Sequence, residues 1–554
     1  MYKITFLLLT ICYSIVGQHN YPYAQHLSTR FLGAQRSGNT KSWIQNMQSQ
    51  GAFVNDGQSF GKDLSGGWHD CGDYIKFHLT GPYTVLMYLY GYFQFPEVYP
   101  DVYSADFSRA PGNGIPDVLD EVKIETDYLI KCLAGDTVFW QIGDGRDHDH
   151  FLEPTAQAQL KIYNETNSRA VYFTTEGKSN ALGNAAAALA LMGICYQTFD
   201  ANYAAKCIEA AKKYYAIACI NPVKTADARA EDGFYEWLGG QWSDCNDELG
   251  LGAALLHRAT KEQKYLDEAI SWAKKANKWG DFGYGNVAHL LYYDLYLQTN
   301  RSDFLANVKW RVKNYKLEAC GYTHISKWGS LRDAGNAAFI SALYHKATSD
   351  SASYSLAKKN IDFILGSHNG ISEHAPQNFS FLIGYNVFGG GFPQFPHHAP
   401  ALGATKNAWD VYNTVKDKRD ASLYQYQLSG GLAGGPEEAC GKFEDDINNY
   451  ISSEYCIYYN AAFTSAVAYI NYHEKQYLNP ILNMNIHQVR ATINGLKVQI
   501  SVSGNTQMEI WDQDKKVWEG IVDAKKEIVL KNMPTANLII KDTLAKWQEE
   551  IIKK

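Results

Sequence analysis

Between residues 20 and 475, apolar residues recur at intervals of three and four. This spacing predicts helices over 117–132, 183–199, 202–218, 264–278, 288–299, 332–347 and 354–366. The run "DVLDEVKIETDYLIKC" at 117–132 shows the pattern plainly. Alternation of period two is sparse in this part of the chain. The helices are separated by long segments rich in glycine, aromatic and charged residues, at 136–155, 367–405 and 428–460. Long connections without their own periodicity usually carry function. Near Asn479 the texture changes. Leu496, Val498, Ile500 and Val502 alternate with polar residues, and Asn494-Gly495 is a hairpin signal. A small β module is expected over 479–541, followed by an amphipathic tail at 542–554.

The first seventeen residues break the helical texture differently. Lys3 precedes an apolar run from Ile4 to Val16, closed by Gly17. This is the form of a secretory signal peptide, too short to span a bilayer. The main domain is therefore expected over 18–478, outside the cell. "NAAAALALMGIC" at 184–195 is short and rich in small residues, as in a buried helix rather than a membrane span. Ten cysteines, less Cys12 in the leader, leave nine, so export permits disulfides but at least one thiol lacks an intramolecular partner. Sequons begin at Asn164, Asn300 and Asn378. A formal net charge of −7 gives nucleic acid no electrostatic footprint. Tyrosine is abundant, with 39 residues against 24 Phe and 13 Trp, which suits sugar surfaces as well as ordinary cores.

Four stretches concentrate chemistry. "GGWHDCGDYIKF" (66–77) sets Asp70 and Asp73 three apart, beside Trp68, His69 and Cys71. A metal site, a solvated turn and a carboxylate pair around a water are all open to it. "FEDDINNYISSEYCIYYNAA" (443–462) places Glu454 among Tyr450, Tyr455 and Tyr458. Aromatic surroundings raise a carboxyl pKa and suit a general acid, while an exposed acid at a helix start is the plain alternative. "PHHAPALG" (396–403) and "QIGDGRDHDHFLEP" (141–154) hold histidines and aspartates whose composition alone assigns no role.

The order and wording of these pieces resemble glycoside hydrolase family 9, the inverting endoglucanases or cellulases. The resemblance runs from Asn20 through "FLGAQRSG", "GGWHDCGDYIKF", "IGDGRDHDHF", "NDELGLGAALLHRATKEQKYL" and "WGSLRDAGNAAFISALY" to "PHH" and "GGLAGGP". It ends on the spaced set Phe443, Asp445, Tyr450, Glu454, Asn460 and Ala461. It implies an all-α fold, an (α/α)6 barrel, with the β module appended. It also implies Asp73 as catalytic base, Asp70 as the partner holding the water and Glu454 as general acid. His397, Trp279, Asp445, Tyr450 and His148 are implied as substrate-binding residues. Asp147-His148 is the preferred match to the family's Asp-His pair, with Asp149-His150 open. No cofactor is required for catalysis. Asp247 and Glu248 resemble acids that hold a structural calcium in some relatives, and supply two hard oxygen donors.

The expectation is thus a secreted monomer that hydrolyses internal bonds of a β-1,4-glucan with inversion, binding neither membrane nor nucleic acid. Its two carboxyls should stand ~6.5–9.5 Å apart to admit a water. Several positions depart from the family. Ala399 and Ile447 stand where arginine is usual, Cys456 where a small hydroxyl or alanine is, and Leu251 and Leu255 where tryptophan is. These departures keep two alternatives open: a β-glucan binder with weak or no hydrolysis, and an exo-acting glucosaminidase on the same scaffold. The β module with Trp511 and Trp518 either packs as a cap or binds carbohydrate.

Overall fold

The computed structural model describes residues 19–39, 51–101, 112–160, 169–222, 244–403, 424, 427–478, 489–494, 497–512, 515–530, 538–542 and 547–551. The apolar N-terminal run read as a signal peptide, Cys12 and the sequon at Asn164 lie outside them. Twelve long helices occur among these residues: α1 (Tyr21–Phe31), α2 (Gly81–Gln94), α3 (Asp117–Lys131), α4 (Ser179–Tyr196), α5 (Ala201–Ala218), α6 (Asn246–Thr260), α7 (Gln263–Ala273), α8 (Ala288–Thr299), α9 (Ser302–Asn314), α10 (Ser330–Thr348), α11 (Ser351–Ile364) and α12 (Ile457–Glu474).

Even-numbered helices form a closed inner ring. Each packs on the next, and α12 packs back on α2. Odd-numbered helices lie outside, α3 on α2, α5 on α4, α7 on α6, α9 on α8, α11 on α10 and α1 on α12. This is the (α/α)6 barrel. Residue pattern explains the two rings. A helix apolar all round belongs inside, and one with an apolar stripe belongs outside. Every residue of α4 except Ile194 is buried. On α7 only Tyr265, Ala269 and Ala273 are buried, and on α9 only Phe304, Val308 and Val312, each at four-residue spacing. Burying a side chain such as Phe304 contributes about 1.5–3 kcal/mol. Gly183 lets α4 approach α6 closely, since a Cβ there would lie 2.8 Å from the backbone carbonyl carbon of Glu248.

The periodic segments named above correspond to seven of these twelve helices, α3, α4, α5, α7, α8, α10 and α11, and overrun some ends. The predicted 264–278 stops at Ala273, where the chain turns toward an aromatic loop. Alternation misses a small antiparallel sheet, β1 (Lys76–Phe77), β2 (Leu133–Ala134), β3 (Thr137–Ile142) and β4 (Val171–Thr174). Its reason is local: β1 and β2 have two residues each, and β3 is buried from Val138 to Ile142, so no polar face alternates.

The C-terminal module is a five-stranded antiparallel sheet of β5 (Val489–Asn494), β6 (Lys497–Asp512), β7 (Lys515–Val529), β8 (Leu538–Asp542) and β9 (Trp547–Ile551). Asn494 pairs with Lys497 across the expected hairpin. The segment set apart as a tail supplies β9, paired with β8 from Asp542↔Trp547 to Leu538↔Ile551. The side chain of Trp511 lies outside the described residues. Of the nine cysteines after the leader, four form Cys71–Cys456 and Cys320–Cys440, and Cys132, Cys195, Cys207, Cys219 and Cys245 are thiols.

Candidate active site

The connections leading into α2, α8, α10 and α12 carry the candidate residues to the amino ends of the inner helices. Before α2, residues 69–75 make a tight turn. His69 N–H donates to the Gln35 carbonyl at 2.7 Å, Asp70 N–H to the Ile75 carbonyl at 2.9 Å, and Gln35 Nε2 to the Cys71 carbonyl at 2.6 Å. Gly72 is required here, because a Cβ would lie 2.6 Å from the His397 carbonyl oxygen. The turn sends Asp70 and Asp73 into different surroundings. Asp70 is buried and accepts from the Thr80 hydroxyl. Burial pushes its carboxyl up to about 8 against that hydrogen bond, and the charges of Asp73 and Glu454 push the same way. Asp73 Oδ2 lies 2.9 Å from His148 Nδ1, and its Oδ1 accepts from the Ile75 N–H at 3.3 Å.

His148 stands on the short helical turn Gly145–His148 that follows β3. Burial lowers its pKa, but the hydrogen bond and charge of Asp73 outweigh burial and the net shift is upward. His150 instead bonds the Arg146 carbonyl, so Asp147-His148 is the pair that reaches the acids.

Glu454 ends the turn Tyr450–Ser453, just before α12. Its carbonyl accepts from Gly434 N–H at 3.0 Å. Its Oε2 accepts from Trp328 Nε1 at 2.8 Å and from the Tyr459 hydroxyl at 3.0 Å. Burial raises its pKa; the two donors oppose that, and the charge of Asp73 adds to it. Glu454 thus stays protonated above the ordinary range, as a general acid must. Trp328 and Tyr459 favour the ionised form. Trp328→Phe should therefore move the alkaline limb of the kcat pH profile upward, a shift read by initial rates across pH.

Around the acids stand aromatic walls. Tyr450 is 47 % exposed, its ring 5.2 Å from Trp328 and 6.2 Å from His397. Tyr284 meets Tyr458 at 4.8 Å, and the guanidinium of Arg332 lies under Tyr284, Tyr458 and Tyr459. His397 N–H donates to the Ser453 carbonyl at 2.7 Å, and its Nδ1 donates to the Ile447 carbonyl at 2.6 Å. Burial lowers its pKa to about 4, so the ring is neutral and Nε2 is an acceptor. Trp279, 60 % exposed, lies five residues before Tyr284 in the loop between α7 and α8, braced edge-on by Trp310 at 4.6 Å. Asp445 is buried, and its carboxylate accepts from the backbone N–H groups of Gln394 and Phe395 at 2.8 and 3.1 Å. It shapes the loop that delivers His397.

The departures from the family pattern fall in three places, with Leu251 and Leu255 buried in the main core on α6. Ala399 and Ile447 share one apolar cluster with Phe53, Tyr74, Phe151 and Leu402, beside His397. Cys456 is bonded to Cys71. Among the described residues one group of three potential metal ligands converges, Cys71, Glu454 and Cys456, and the disulfide consumes both sulfurs. The metal reading of 66–77 finds no ligand set there. His69 packs edge-on to Phe53 and Tyr74 at 5.4 and 4.9 Å, away from any such role.

Asp247 and Glu248 lie apart, buried in the first turn of α6. Asp247 Oδ2 accepts from Val287 N–H at 2.6 Å; among the described residues, Asp247 Oδ1 and both Glu248 oxygens have no hydrogen-bond partner. Burial pushes Asp247 up to about 7 and Glu248 well above the carboxylate range. Buried, unpartnered hard oxygens fit a cation such as calcium, although no third His, Cys, Asp or Glu completes the set among the described residues.

Residues 21–467 match the model of glycosyl hydrolase family 9. The chain belongs to this family. Endoglucanase A of Bacillus pumilus is 30% identical over 481 residues, covering 82% of this chain and 66% of that protein. Endoglucanase B of Cellulomonas fimi is 27% identical, covering 81% of this chain and 42% of that protein. The chain thus spans two-thirds or less of these two relatives. The structure of the endoglucanase from the termite Nasutitermes takasagoensis matches with a TM-score of 0.69 and 27% identity, covering 82% of this chain and 99% of that one. The cellulase Cel9M of C. cellulolyticum in complex with cellobiose matches at 0.67 and 26%, covering 83% and 100%.

Sequence reasoning passed over Thr80, Trp328 as a donor to Glu454, and the Cys71–Cys456 bond. Trp328 was visible inside its motif. Its pairing with Glu454, 126 positions away, was not.

Proposed function

We propose that the protein is a secreted, monomeric endo-β-1,4-glucanase acting with inversion. The observation that carries this reading is a pair of carboxyls in unlike surroundings: Asp73 hydrogen-bonded to His148, and Glu454, whose pKa burial raises. Asp73 takes a proton from the attacking water. Asp70, neutral below about pH 8, steadies that water. Glu454 gives its proton to the departing glycosidic oxygen. His397 Nε2 accepts from a sugar hydroxyl, and Tyr450 and Trp279 offer ring faces to pyranose units. The cellulase Cel9M is in complex with cellobiose, a β-1,4-linked disaccharide, which supports a β-1,4-glucan as the substrate class. No described helix is long and apolar enough to cross a membrane, and the N-terminal leader has the form of an export signal.

Carboxymethyl-cellulose and barley β-glucan test the reading. A rapid fall in viscosity with new reducing ends is expected, and NMR should show the α-anomer as first product. Binding without new reducing ends would replace this reading with the non-hydrolytic binder. Release of glucosamine units from chitobiose with cellohexaose intact would replace it with the glucosaminidase. Asp247 and Glu248 are proposed to hold calcium as a structural ion. In the same assay series, chelation should lower the unfolding temperature and calcium should restore it; an unchanged temperature would remove the ion.

A further inference from the structure

The Cys71–Cys456 disulfide joins two segments 385 positions apart in sequence. Cys71 lies between Asp70 and Asp73, and Cys456 lies two residues after Glu454. The bond therefore links the water-activating turn to the acid-bearing segment with almost no slack on either side. Cys71 Sγ is 3.3 Å from Asp70 Oδ2 and 4.0 Å from the Tyr458 hydroxyl, so it forms part of the floor between the acids. Ile457 N–H donates to the Asp70 carbonyl at 2.9 Å, one residue after Cys456 and one before Cys71. Other ties between the two segments run through a third. Ala399 N–H donates to the Gly72 carbonyl at 2.9 Å, and His397 N–H to the Ser453 carbonyl at 2.7 Å.

We propose that Cys71 and Cys456 are positioning residues for catalysis, their disulfide fixing Glu454 relative to Asp70 and Asp73. This rests on the glucanase reading above. An inverting site tolerates little error, because one water must fit between base and substrate while the acid reaches the leaving oxygen. The ring of inner helices alone leaves the segments before α2 and α12 joined by single hydrogen bonds. The covalent bond removes that freedom. It also keeps Glu454 dry and near Asp73, the two influences that raise its pKa.

The test compares wild type, Cys71→Ala/Cys456→Ala and Cys320→Ala/Cys440→Ala on cellohexaose. The first pair should lower kcat about 10–100-fold with KM changed by less than about twofold, at unchanged near-ultraviolet ellipticity. Its alkaline limb should move to lower pH, because a looser, wetter Glu454 gives up its proton sooner. The second disulfide flanks none of the three acids assigned to catalysis, and its loss should leave kcat and the limb in place. Equal kcat and an unmoved limb in the first variant, with only a lower unfolding temperature, would overturn the proposal.

If the alanine pair folds poorly, dithiothreitol is applied to the C320A/C440A protein. It leaves as its cyclic disulfide while Cys71 and Cys456 each gain a proton and an electron. Activity falling in step with labelling of these two thiols, at constant ellipticity, supports the assignment; activity lost only with ellipticity refutes it. Infrared titration of the Glu454 carboxyl, assigned by its absence in E454Q, reads the shift without turnover. A wild type inactive on every glucan would defeat the glucanase reading alone, and the infrared shift would still decide what the bond does to Glu454.

Discussion

Glu454→Gln is expected to lower kcat on cellohexaose by about 10²–10⁴-fold, the usual contribution of a positioned proton donor, with KM little changed. The amide keeps the shape of the side chain and can still accept from Trp328 Nε1 and the Tyr459 hydroxyl. It has no proton to give to a glycosidic oxygen. A loss confined to kcat identifies a group that acts in the transition state. Two further readings sharpen the result. The alkaline limb of the wild-type profile, set by ionisation of Glu454, should vanish from the residual rate. Aryl cellobiosides with good leaving groups need less protonation and should lose much less. Full activity of the variant on cellohexaose would remove Glu454 from the mechanism.

The largest expected loss of stability follows from Arg169→Ala. Arg169 is buried and grips Asp56 with two parallel bonds, Nε to Oδ1 at 2.8 Å and an Nη to Oδ2 at 2.7 Å. Its third nitrogen donates to the Tyr74 carbonyl at 2.6 Å, directly behind Asp73, and its plane lies over Phe53 at 4.0 Å. Lys76 shares Asp56 at 2.8 Å. Removing one member of a buried ion group costs about 3–5 kcal/mol, since the partner keeps its desolvation without full compensation. Denaturation followed by tryptophan fluorescence measures it. Arg169→Lys should recover only part, because an ammonium cannot reproduce the forked contact. Activity should fall as well, since Arg169 also lies 3.6 Å from Asp147, beside His148.

The same group sets a pH dependence. Burial alone would raise the Asp56 pKa, but Arg169 and Lys76 overcome it and hold the carboxyl below its ordinary value. A depressed folded pKa stabilises the fold above the unfolded value, near 3.9. That stability is lost as pH falls through the folded pKa. Wild type should therefore lose more stability on acidification than Arg169→Ala.

The helices were legible because burial imposes its period directly on the residues. The inner-ring helices α8 and α10 and the stripes of outer helices such as α7 are each local patterns. The site was legible where acids and aromatics cluster within a few residues, as at 66–77 and 443–462. The three long connections singled out for function deliver His148, His397 and Glu454. What escaped depends on distance along the chain. Nothing near Cys71 announces Cys456, and nothing near Ala399 announces that Ile447 fills the neighbouring space. Asp445 shows another limit. An acid in a functional motif can serve the backbone of a loop rather than the substrate, and only its partners reveal which.

The pairing of α1 with α12 has a consequence for the chain as it is synthesised. Ser28 Oγ bonds Thr464 Oγ1 at 2.6 Å and accepts from Asn460 Nδ2 at 2.7 Å. The first helix thus waits for the last. Asp73 emerges early from the ribosome and Glu454 some 380 residues later, when nearly all of the barrel has been made. Contacts so distant form slowly, so five helical hairpins must persist beforehand with one flank of the ring open. A nascent chain of this design cannot assemble its acids until its final helix arrives, and any fragment ending before residue 457 should bind chaperones.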